Sequence, residues 1–272
     1  MCIRDSFHRY GSKLVASCVK NNCHYVDITG ENFWVKGLIE KHHADASAKG
    51  LRIIPSCGFD SIPSDLGVFF AAKAIAKPIK RIESFHSYQG SASGGTLETM
   101  FSMSELDLGD DLTNPFLLNP KDSFSDQQVL QSSDRVGLAK KSEINAWSGP
   151  FIMATANTRV VRRSEALLAL RQESYGPNFT YQEHAFHKSW FSAFRSLVLT
   201  GISVLVLLSP LKRLVKPFLP KPGEGPSEFV QENGWFDCKF VVETEDGIKS
   251  VFNMNGKGDP GYKVTSKLVS EC

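Results

Sequence analysis

Residues 51–67 read LRIIPSCGFDSIPSDLG and combine a short apolar strand, a turn of small and polar residues, and the start of a helix. Pro63 and Asp65 suit a first helical turn, where a missing amide hydrogen costs little and a carboxylate meets the positive end of the helix dipole. Residues 22–31, NCHYVDITGE, repeat this arrangement upstream. Residues 10–76 therefore predict the order helix, strand, helix, strand, helix, which is typical of a parallel α/β sheet.

The two loops that follow these strands are the first candidates for a site. In open α/β sheets, ligands bind outside the carboxyl ends of the strands. Loops 27–31 and 57–63 each contain a glycine, a carboxylate and a hydroxyl, and each leads into a helix whose free amides can hold an anionic group. The same Asp, Ser and Thr side chains could simply cap the helices, so the pattern leaves ligand contact and capping open.

Both segments resemble a known family. NCHYVDITGE at 22–31, followed by GFDSIPSDLG at 58–67, is similar to the saccharopine dehydrogenase-like oxidoreductases, and within them to the branch of the trans-acting enoyl reductases. SGPF at 148–151 and VVRRS at 160–164 resemble a later segment of that family. The resemblance is strong over 10–76, looser afterwards, and covers most of residues 10–270.

This resemblance implies a fold and a chemistry. The fold class would be α/β, with a partial Rossmann-type parallel sheet at 7–78, the C-terminal half of a dinucleotide-binding domain. An α+β substrate domain with antiparallel strands would follow at 79–272. The parent protein would be an NAD(P)-dependent oxidoreductase, with NADP or NAD as cofactor. The residues expected to bind that cofactor are Asp27, Thr29, Gly30, Glu31, Gly58, Phe59, Asp60, Ser61 and Pro63.

One family feature is missing from the sequence. No G-x-G-x-x-G follows a first strand, and the glycine cluster at 90–95, GSASGG, has the wrong spacing for a phosphate-binding loop. We therefore expect an N-terminally truncated fragment that ends within a helix, binds dinucleotide weakly and is inactive alone. Residues 1–6, MCIRDS, fit no pattern and are interpreted as a non-native leader.

The second region gives weaker signals. The pattern predicts a strand at 82–88, a helix at 96–106, a helix capped by Asn157 and a weak strand at 179–185. Alternating apolar residues on either side of Glu245-Asp246-Gly247 predict an antiparallel hairpin. A further helix is expected from residue 262 onwards.

Composition excludes several classes of protein. Among 272 residues, 42% are hydrophobic and 22% are charged, which excludes a disordered chain. The formal net charge of +2 gives no sign of a nucleic-acid partner. Six cysteines without a C-x-x-C pair indicate neither a disulfide scaffold nor a metal site. With no secretory signal, we expect a cytoplasmic protein.

An apolar segment with basic flanks, residues 189–216, stands out. Residues 184–223 carry six basic side chains and no acid, and 196–208 carry no charge. Three interpretations stay open: a helix lying on a membrane surface, where Lys212, Arg213 and Lys216 would favour anionic lipid; a buried helix; or a spanning helix. The segment favours a hydrophobic or lipid-type substrate. The alternative function is a membrane- or lipid-surface-associated, non-catalytic protein that retains the fold, and a homodimer stays open.

A few further side chains are candidates for chemistry. Asp60, His86 and Tyr88 are the titratable groups near the expected cleft, but each suits a structural role better, so the catalytic residues stay unassigned. The pair Arg162-Arg163 could meet a phosphate, although a solvated helix face or an ion-pair partner is the commoner role. Cys57 could be a reactive thiol, although a small buried hydrophobe is the preferred interpretation.

Overall fold

The structure is a computed structural model that describes residues 6–90, 94–219 and 225–272. The predicted leader, apart from Ser6, and the middle of the glycine cluster at 90–95 lie outside these residues.

The N-terminal region has the predicted element order. Its elements are α1 (Phe7–Lys20), β1 (Tyr25–Val26), α2 (Asn32–Ala48), β2 (Ile53–Ile54) and α3 (Ile62–Ile75). Tyr25 pairs with Ile53 and Val26 with Ile54 in a parallel arrangement. This pair is a small sheet of its own, so the α/β class is confirmed, whereas a Rossmann-type sheet stays a prediction. Beneath it, α1 and α2 bury a separate core that includes Val15, Trp34 and Leu38.

A second, six-stranded sheet forms the larger part of the molecule. Its strands are β3 (Ile79–Gln89), β4 (Ala139–Lys141), β5 (Ala146–Gly149), β6 (Thr180–His187), β7 (Trp235–Thr244) and β8 (Lys249–Lys257). The spatial order is β4-β5-β6-β3-β7-β8. The predicted hairpin is β7–β8, and its turn contains Gly247 at a φ of 82°.

The expectation of antiparallel strands holds for most pairs of this sheet, but it is wrong for its centre. There β3 and β6 run parallel, from Arg81 opposite Thr180 to His86 opposite Ala185. Parallel neighbours require a long crossover connection, and the chain between these two strands supplies one. Within the described residues, that connection contains three α-helices, at 94–103, 126–131 and 154–169.

The other helices are α4 (Gly94–Met103), α5 (Asp126–Gln131), α6 (Ala154–Ala169), α7 (Trp190–Leu208), α8 (Lys212–Val215), α9 (Glu228–Asn233) and α10 (Thr265–Glu271). Short 3-10 turns lie at 109–112, 142–144 and 216–218, and a π-helical turn at 260–264 precedes α10. The prediction that Asn157 caps a helix is wrong. The helix begins earlier, at Ala154, and Asn157 lies buried in its first turns.

Close packing of α3 on the large sheet brings the N-terminal region against the second one. Gly67 of α3 lies so near Phe240 of β7 that a Cβ at this glycine would stand 2.1 Å from the Phe240 ring. Val68 and Val161 fill the core between α3, α6 and the sheet. As a result, the loop that precedes α3, residues 57–61, lies above the large sheet.

The apolar segment forms a long helix that is largely exposed. At 19 residues, α7 is about 28 Å long, and it is long and apolar enough to cross a membrane by length and composition alone. Its mean hydropathy is 2.0, and only 6% of its most apolar window is buried. The interpretation as a buried helix is therefore wrong, because Ala193 is its one buried residue.

Two of the basic residues that follow α7 are already engaged within the chain. Lys212 of α8 donates a hydrogen bond to the hydroxyl of Ser104, at 2.9 Å. Lys216 lies 2.9 Å from a carboxylate oxygen of Glu98 and over the ring of Phe101. These contacts tie the segment after α7 to the region around α4.

The pair Arg162-Arg163 is not a solvated helix face. Arg162 is buried and donates hydrogen bonds to the carbonyl oxygens of Pro115, Ser132 and Tyr181, at 2.8 to 2.9 Å. Arg163 bonds the carbonyl oxygen of Leu118. The two arginines hold residues 115–132 of the long connection against α6, because they donate hydrogen bonds to backbone carbonyl oxygens of that segment.

Candidate functional site

Asp27 organises both strand-end loops. Its Oδ1 accepts hydrogen bonds from the amides of Thr29 (2.9 Å) and Ser56 (3.1 Å), and its Oδ2 accepts one from the Tyr25 hydroxyl (2.8 Å). Burial raises the pKa of Asp27 despite these bonds, which favour the charged form. Both oxygens are therefore occupied within the protein, and the Asp27 carboxylate joins loop 27–31 to loop 57–63.

The other polar side chains of loop 27–31 also point inward. The Glu31 carboxylate is fully buried and accepts hydrogen bonds from the Phe7 amide (3.0 Å), the His8 amide (2.7 Å) and the Ser6 hydroxyl (2.6 Å). It thus serves the N-terminus of α1, where free amides and the helix dipole favour an anion. Thr29 Oγ1 accepts a hydrogen bond from the Glu31 amide at 3.1 Å.

Gly30 differs from its neighbours because it faces open space. A Cβ at this position would meet no atom within 4 Å. Ile28, two residues earlier, is exposed. The surface that loop 27–31 presents to a ligand is therefore backbone and apolar side chain, not carboxylate.

Loop 57–63 lies between the two sheets and α10. The Phe59 amide donates a hydrogen bond to Thr265 Oγ1 at 3.0 Å, and Gly58 lies against Ile28 and the same threonine. Pro63 is buried in the first turn of α3. Cys57 is fully buried, and burial raises the pKa of its thiol to about 12, so the interpretation as a buried hydrophobe is confirmed.

An aromatic group surrounds the outer face of this loop. The ring of Phe59 packs against Phe236 (centroids 4.9 Å apart) and Tyr88 (6.4 Å). Phe151 packs edge-on against Tyr88 at 6.4 Å. We call these four residues the aromatic cluster. Tyr88, at the end of β3, remains 47% exposed, so part of its side chain faces solvent or a ligand.

Asp60 adds a carboxyl group beside the aromatic cluster. Burial raises the pKa of Asp60 to about 6. Burial and the charge of Asp60 both raise the pKa of Tyr88, which keeps this phenol protonated. The two side chains therefore offer a carboxyl group that can exchange a proton near neutral pH and a hydroxyl that can donate a hydrogen bond.

Beneath the loop, a chain of buried polar side chains runs across the large sheet. Ser61 donates to Asn157 Oδ1 at 3.2 Å, and Asn157 Nδ2 donates to Glu183 at 2.9 Å. Tyr181 donates to the other oxygen of Glu183 at 2.7 Å. We call this set the buried polar chain, and it continues through Ser84 to the imidazole of His86.

The far end of the buried polar chain returns to the aromatic cluster. Ser84 Oγ lies 2.8 Å from both the Tyr181 hydroxyl and Nε2 of His86. The other ring nitrogen of His86 lies 3.2 Å from Cys238 Sγ. The His86 ring stacks on Phe151, with centroids 4.7 Å apart and planes 5° apart. Continuous hydrogen bonds thus link loop 57–63 to a ring beneath the aromatic cluster.

Burial sets the protonation states along this chain. It raises the pKa of Glu183 to about 7 and lowers that of His86 to about 3. His86 is therefore neutral at physiological pH, whereas Glu183 is divided between its two forms. Groups with such shifted pKa values, joined by hydrogen bonds, are typical of sites that hold or relay a proton.

The structure brings together only part of the predicted set. Gly58, Phe59, Asp60 and Ser61 lie with Tyr88 and His86 around one site, while Asp27, Thr29 and Glu31 support the loops from within. The sequence reasoning missed Asn157, Tyr181 and Glu183 as parts of this site. The available signal was the strand TYQEHAFH, whose inward positions carry polar side chains where a core strand normally carries aliphatic ones.

Comparisons with known proteins identify relatives of the whole chain. No protein-family model and no solved structure matches it. A protein of Mycobacterium tuberculosis described as a trans-acting enoyl reductase is 34% identical over 98% of this chain, which spans 68% of that protein. The trans-acting enoyl reductases of Mycobacterium leprae and Mycobacterium bovis are each 31% identical over 97% of the chain, and each is covered to 68%. The relatives' shared name supports an enoyl-reductase-like oxidoreductase. The chain belongs to the trans-acting enoyl reductase family.

Proposed function

We propose that this chain forms the substrate side of an NAD(P)-dependent enoyl reductase that acts on a hydrophobic acyl substrate. One observation carries the proposal: the charge of Asp60 acts on Tyr88 of the aromatic cluster, above the buried polar chain and next to the strand-end loops. This combines a flat apolar surface with a hydrogen-bond donor and a proton source.

The strand-end loops suit the ring end of a nicotinamide cofactor. Gly30 leaves room for a close approach, and Ile28 with Phe59 offers an apolar surface for a flat ring. Asp27 and Glu31 are engaged internally, so their carboxylates do not oppose such a ligand directly. The sequence contains no glycine-rich loop of the spacing that cradles a pyrophosphate, so we expect this chain alone to bind a dinucleotide weakly.

Reduction of a C=C bond conjugated to a carbonyl requires a hydride at one carbon and a proton at the other, and the cofactor, when bound, supplies the hydride. The residues of this chain supply the rest. Tyr88 would donate a hydrogen bond to the carbonyl oxygen, where negative charge develops. Asp60 would deliver the proton. The aromatic cluster would exclude water from the reacting carbons.

The substrate class follows from the surface around the site. Phe59, Phe151 and Phe236 surround the hydroxyl and the carboxyl group with apolar area. The described residues near them hold no cluster of free cations that would recognise a substrate with several carboxylates. We therefore propose an enoyl thioester with an apolar acyl chain.

Hydrogen–deuterium exchange with the whole chain tests this function. The probes are NADPH or NADH at millimolar concentration and, separately, trans-2-octenoyl-N-acetylcysteamine, a soluble enoyl thioester. We expect slower exchange in loops 27–31 and 57–63 with NADPH or NADH, and at the C-terminal end of β3 with the thioester. Consumption of NADPH or NADH is measured in the same mixtures. Unchanged exchange in all three segments with every probe would overturn the proposal.

A second proposal concerns location, and the exposure of α7 carries it. We propose that the protein is cytoplasmic and binds a membrane surface through the apolar side chains of this helix, among them Phe191, Leu199 and Leu205. Trp190 and Phe194 stack on each other at the start of the helix, and aromatic residues of this kind favour the membrane interface. Lys188 and Arg195 lie at the same end and would favour anionic lipid.

Flotation with vesicles of phosphatidylcholine and phosphatidylglycerol tests this location. We expect the wild type to float with the vesicles and a Phe191→Ser/Leu199→Ser/Leu205→Ser variant to stay in the soluble fraction. Equal behaviour of the two proteins would refute membrane binding. A wild type that elutes as a dimer without lipid, and a variant that elutes as a monomer, would instead assign this face to a second copy of the chain.

A further inference from the structure

A cavity of about 290 Å³ lies beneath α7, apart from the strand-end loops. It opens at the edge of β6, because the pairing of β5 with β6 ends at Gly149 opposite Ala185 and the chain then turns away. Its floor is formed by Gln182 and Glu183 of β6, and its roof by Thr200 and Val204 of α7. Its volume is near the lower end of the range for small-molecule sites.

The walls of this cavity are mainly apolar, and Val136, Phe151 and Ile152 supply much of their surface. The polar side chains of Gln182 and Arg162 keep their hydrogen bonds within the protein. Gln182 Nε2 donates to two carbonyl oxygens, and the guanidinium of Arg162 donates to three others. The surface left for a ligand therefore suits an apolar chain.

The cavity also adjoins the proposed active site. Phe151, which lines it, stacks on His86 and packs against Tyr88. Glu183 lies in the cavity floor and in the buried polar chain. We propose that the cavity beneath α7 binds the apolar acyl chain of the enoyl thioester substrate. This inference rests on the proposed reductase function and adds the place where the substrate is held.

Two tryptophan variants of α7 test the cavity directly. Val204 lines the cavity and is 42% exposed, so Val204→Trp should fill the space from the roof without disturbing the core. Ser203, the preceding residue, is exposed and does not line the cavity, which makes Ser203→Trp the matched control. The probe is trans-2-octenoyl-N-acetylcysteamine, and its Kd is measured by calorimetry without any dinucleotide.

We expect Val204→Trp to weaken binding of the octenoyl thioester at least tenfold and Ser203→Trp to leave it within twofold. We also expect nuclear Overhauser contacts between the octenoyl chain and the Val204 methyl groups in the wild type. Equal Kd values for all three proteins, or equal weakening by both variants, would overturn the cavity assignment. The exchange experiment on loops 27–31 and 57–63 reports on the reductase function independently of that result.

Discussion

The Tyr181 hydroxyl donates a hydrogen bond to the Glu183 carboxylate over 2.7 Å, and the two residues stand two positions apart on the same buried strand. A period of two places both side chains on one face of β6, beneath α3 and α6. Neither group has access to water, so their protonation is set by each other and by Asn157 and Ser84. The consequences can be measured.

Stability should depend on pH through Glu183. Its pKa rises from 4.5 to about 7 on burial, so between these values the folded chain keeps a proton that the unfolded chain has lost. The free energy of unfolding therefore falls as pH rises from 4.5 to 7, by roughly 3 kcal/mol for this group. Urea denaturation at several pH values measures this change in the free energy of unfolding.

Glu183→Gln should remove the share of that dependence that Glu183 contributes, because the amide does not titrate. In the variant, the free energy of unfolding still falls as pH rises, but less steeply than in the wild type, because burial also raises the pKa values of Asp60 and Asp65 to about 6. Glu105→Gln, at an exposed position, is the control and should retain the full slope. An identical slope in wild type and Glu183→Gln would contradict the buried, shifted carboxyl group.

Tyr88→Phe should impair catalysis without affecting the fold. In the parent enzyme expected from the sequence, loss of the hydroxyl should lower kcat for the octenoyl thioester about 100-fold and leave KM nearly unchanged, because the hydrogen bond strengthens as charge develops on the carbonyl oxygen. Tyr10→Phe removes the hydroxyl of another exposed tyrosine and should be silent. A Tyr88→Phe variant with wild-type kcat would remove this residue from the mechanism.

The pH profile of turnover should report Asp60. If its protonated form delivers the proton, the rate decreases as pH rises above about 6, the pKa to which burial raises this carboxyl group. Asp60→Asn should give a low rate that is flat across the same range. Steady-state rates between pH 5 and 8 (roughly the range that brackets this pKa) make the comparison. A variant that keeps the wild-type midpoint would assign the titration to another group.

Glu31→Gln should destabilise the fold. The substitution removes the charge that serves the N-terminus of α1 and weakens the bonds to the Phe7 and His8 amides. We expect a loss of about 1–3 kcal/mol in the free energy of unfolding, since bonds to a buried charge are strong. Glu40→Gln, on the exposed face of α2, serves as the control and should change stability little. Equal urea midpoints for the two variants would argue against the capping role.

Two glycine-to-alanine variants should have opposite signs. Gly67→Ala places a methyl group 2.1 Å from the Phe240 ring, so α3 must move from the sheet, at a cost of about 1–3 kcal/mol. Gly37→Ala, inside α2, meets no atom within 4 Å and should stabilise by up to about 1 kcal/mol. Thermal unfolding of both variants is the measurement. Similar stability changes would mean that α3 is not packed closely on β7.

Local sequence was sufficient for the elements whose signals are local. The order of α1, β1, α2, β2 and α3 follows from hydrophobic periodicity and from turn residues, and the β7–β8 hairpin follows from alternation around a glycine turn. The apolar segment 189–216 was likewise evident as one long helix with basic flanks. Each of these features depends on residues close together in the chain.

Contacts between distant residues were beyond the reach of these patterns. Asparagine is common at helix caps, yet α6 begins before Asn157 and places its side-chain amide between Ser61 and Glu183. Arginine is common on solvated helix faces, yet Arg162 lies in the interior and donates hydrogen bonds to three backbone carbonyl oxygens. In both cases, a partner separated by many residues determines the environment of the side chain.

The sequence by itself determined the α/β class, the two strand-end loops and the family resemblance, because all three depend on residues that lie close together in the chain. Only the tertiary structure decided which side chains share a site. It turned Asp27 and Glu31 inward, placed Asp60 within electrostatic range of Tyr88, and exposed α7, because packing of α3 and α6 on a mixed sheet sets distances that no local pattern encodes.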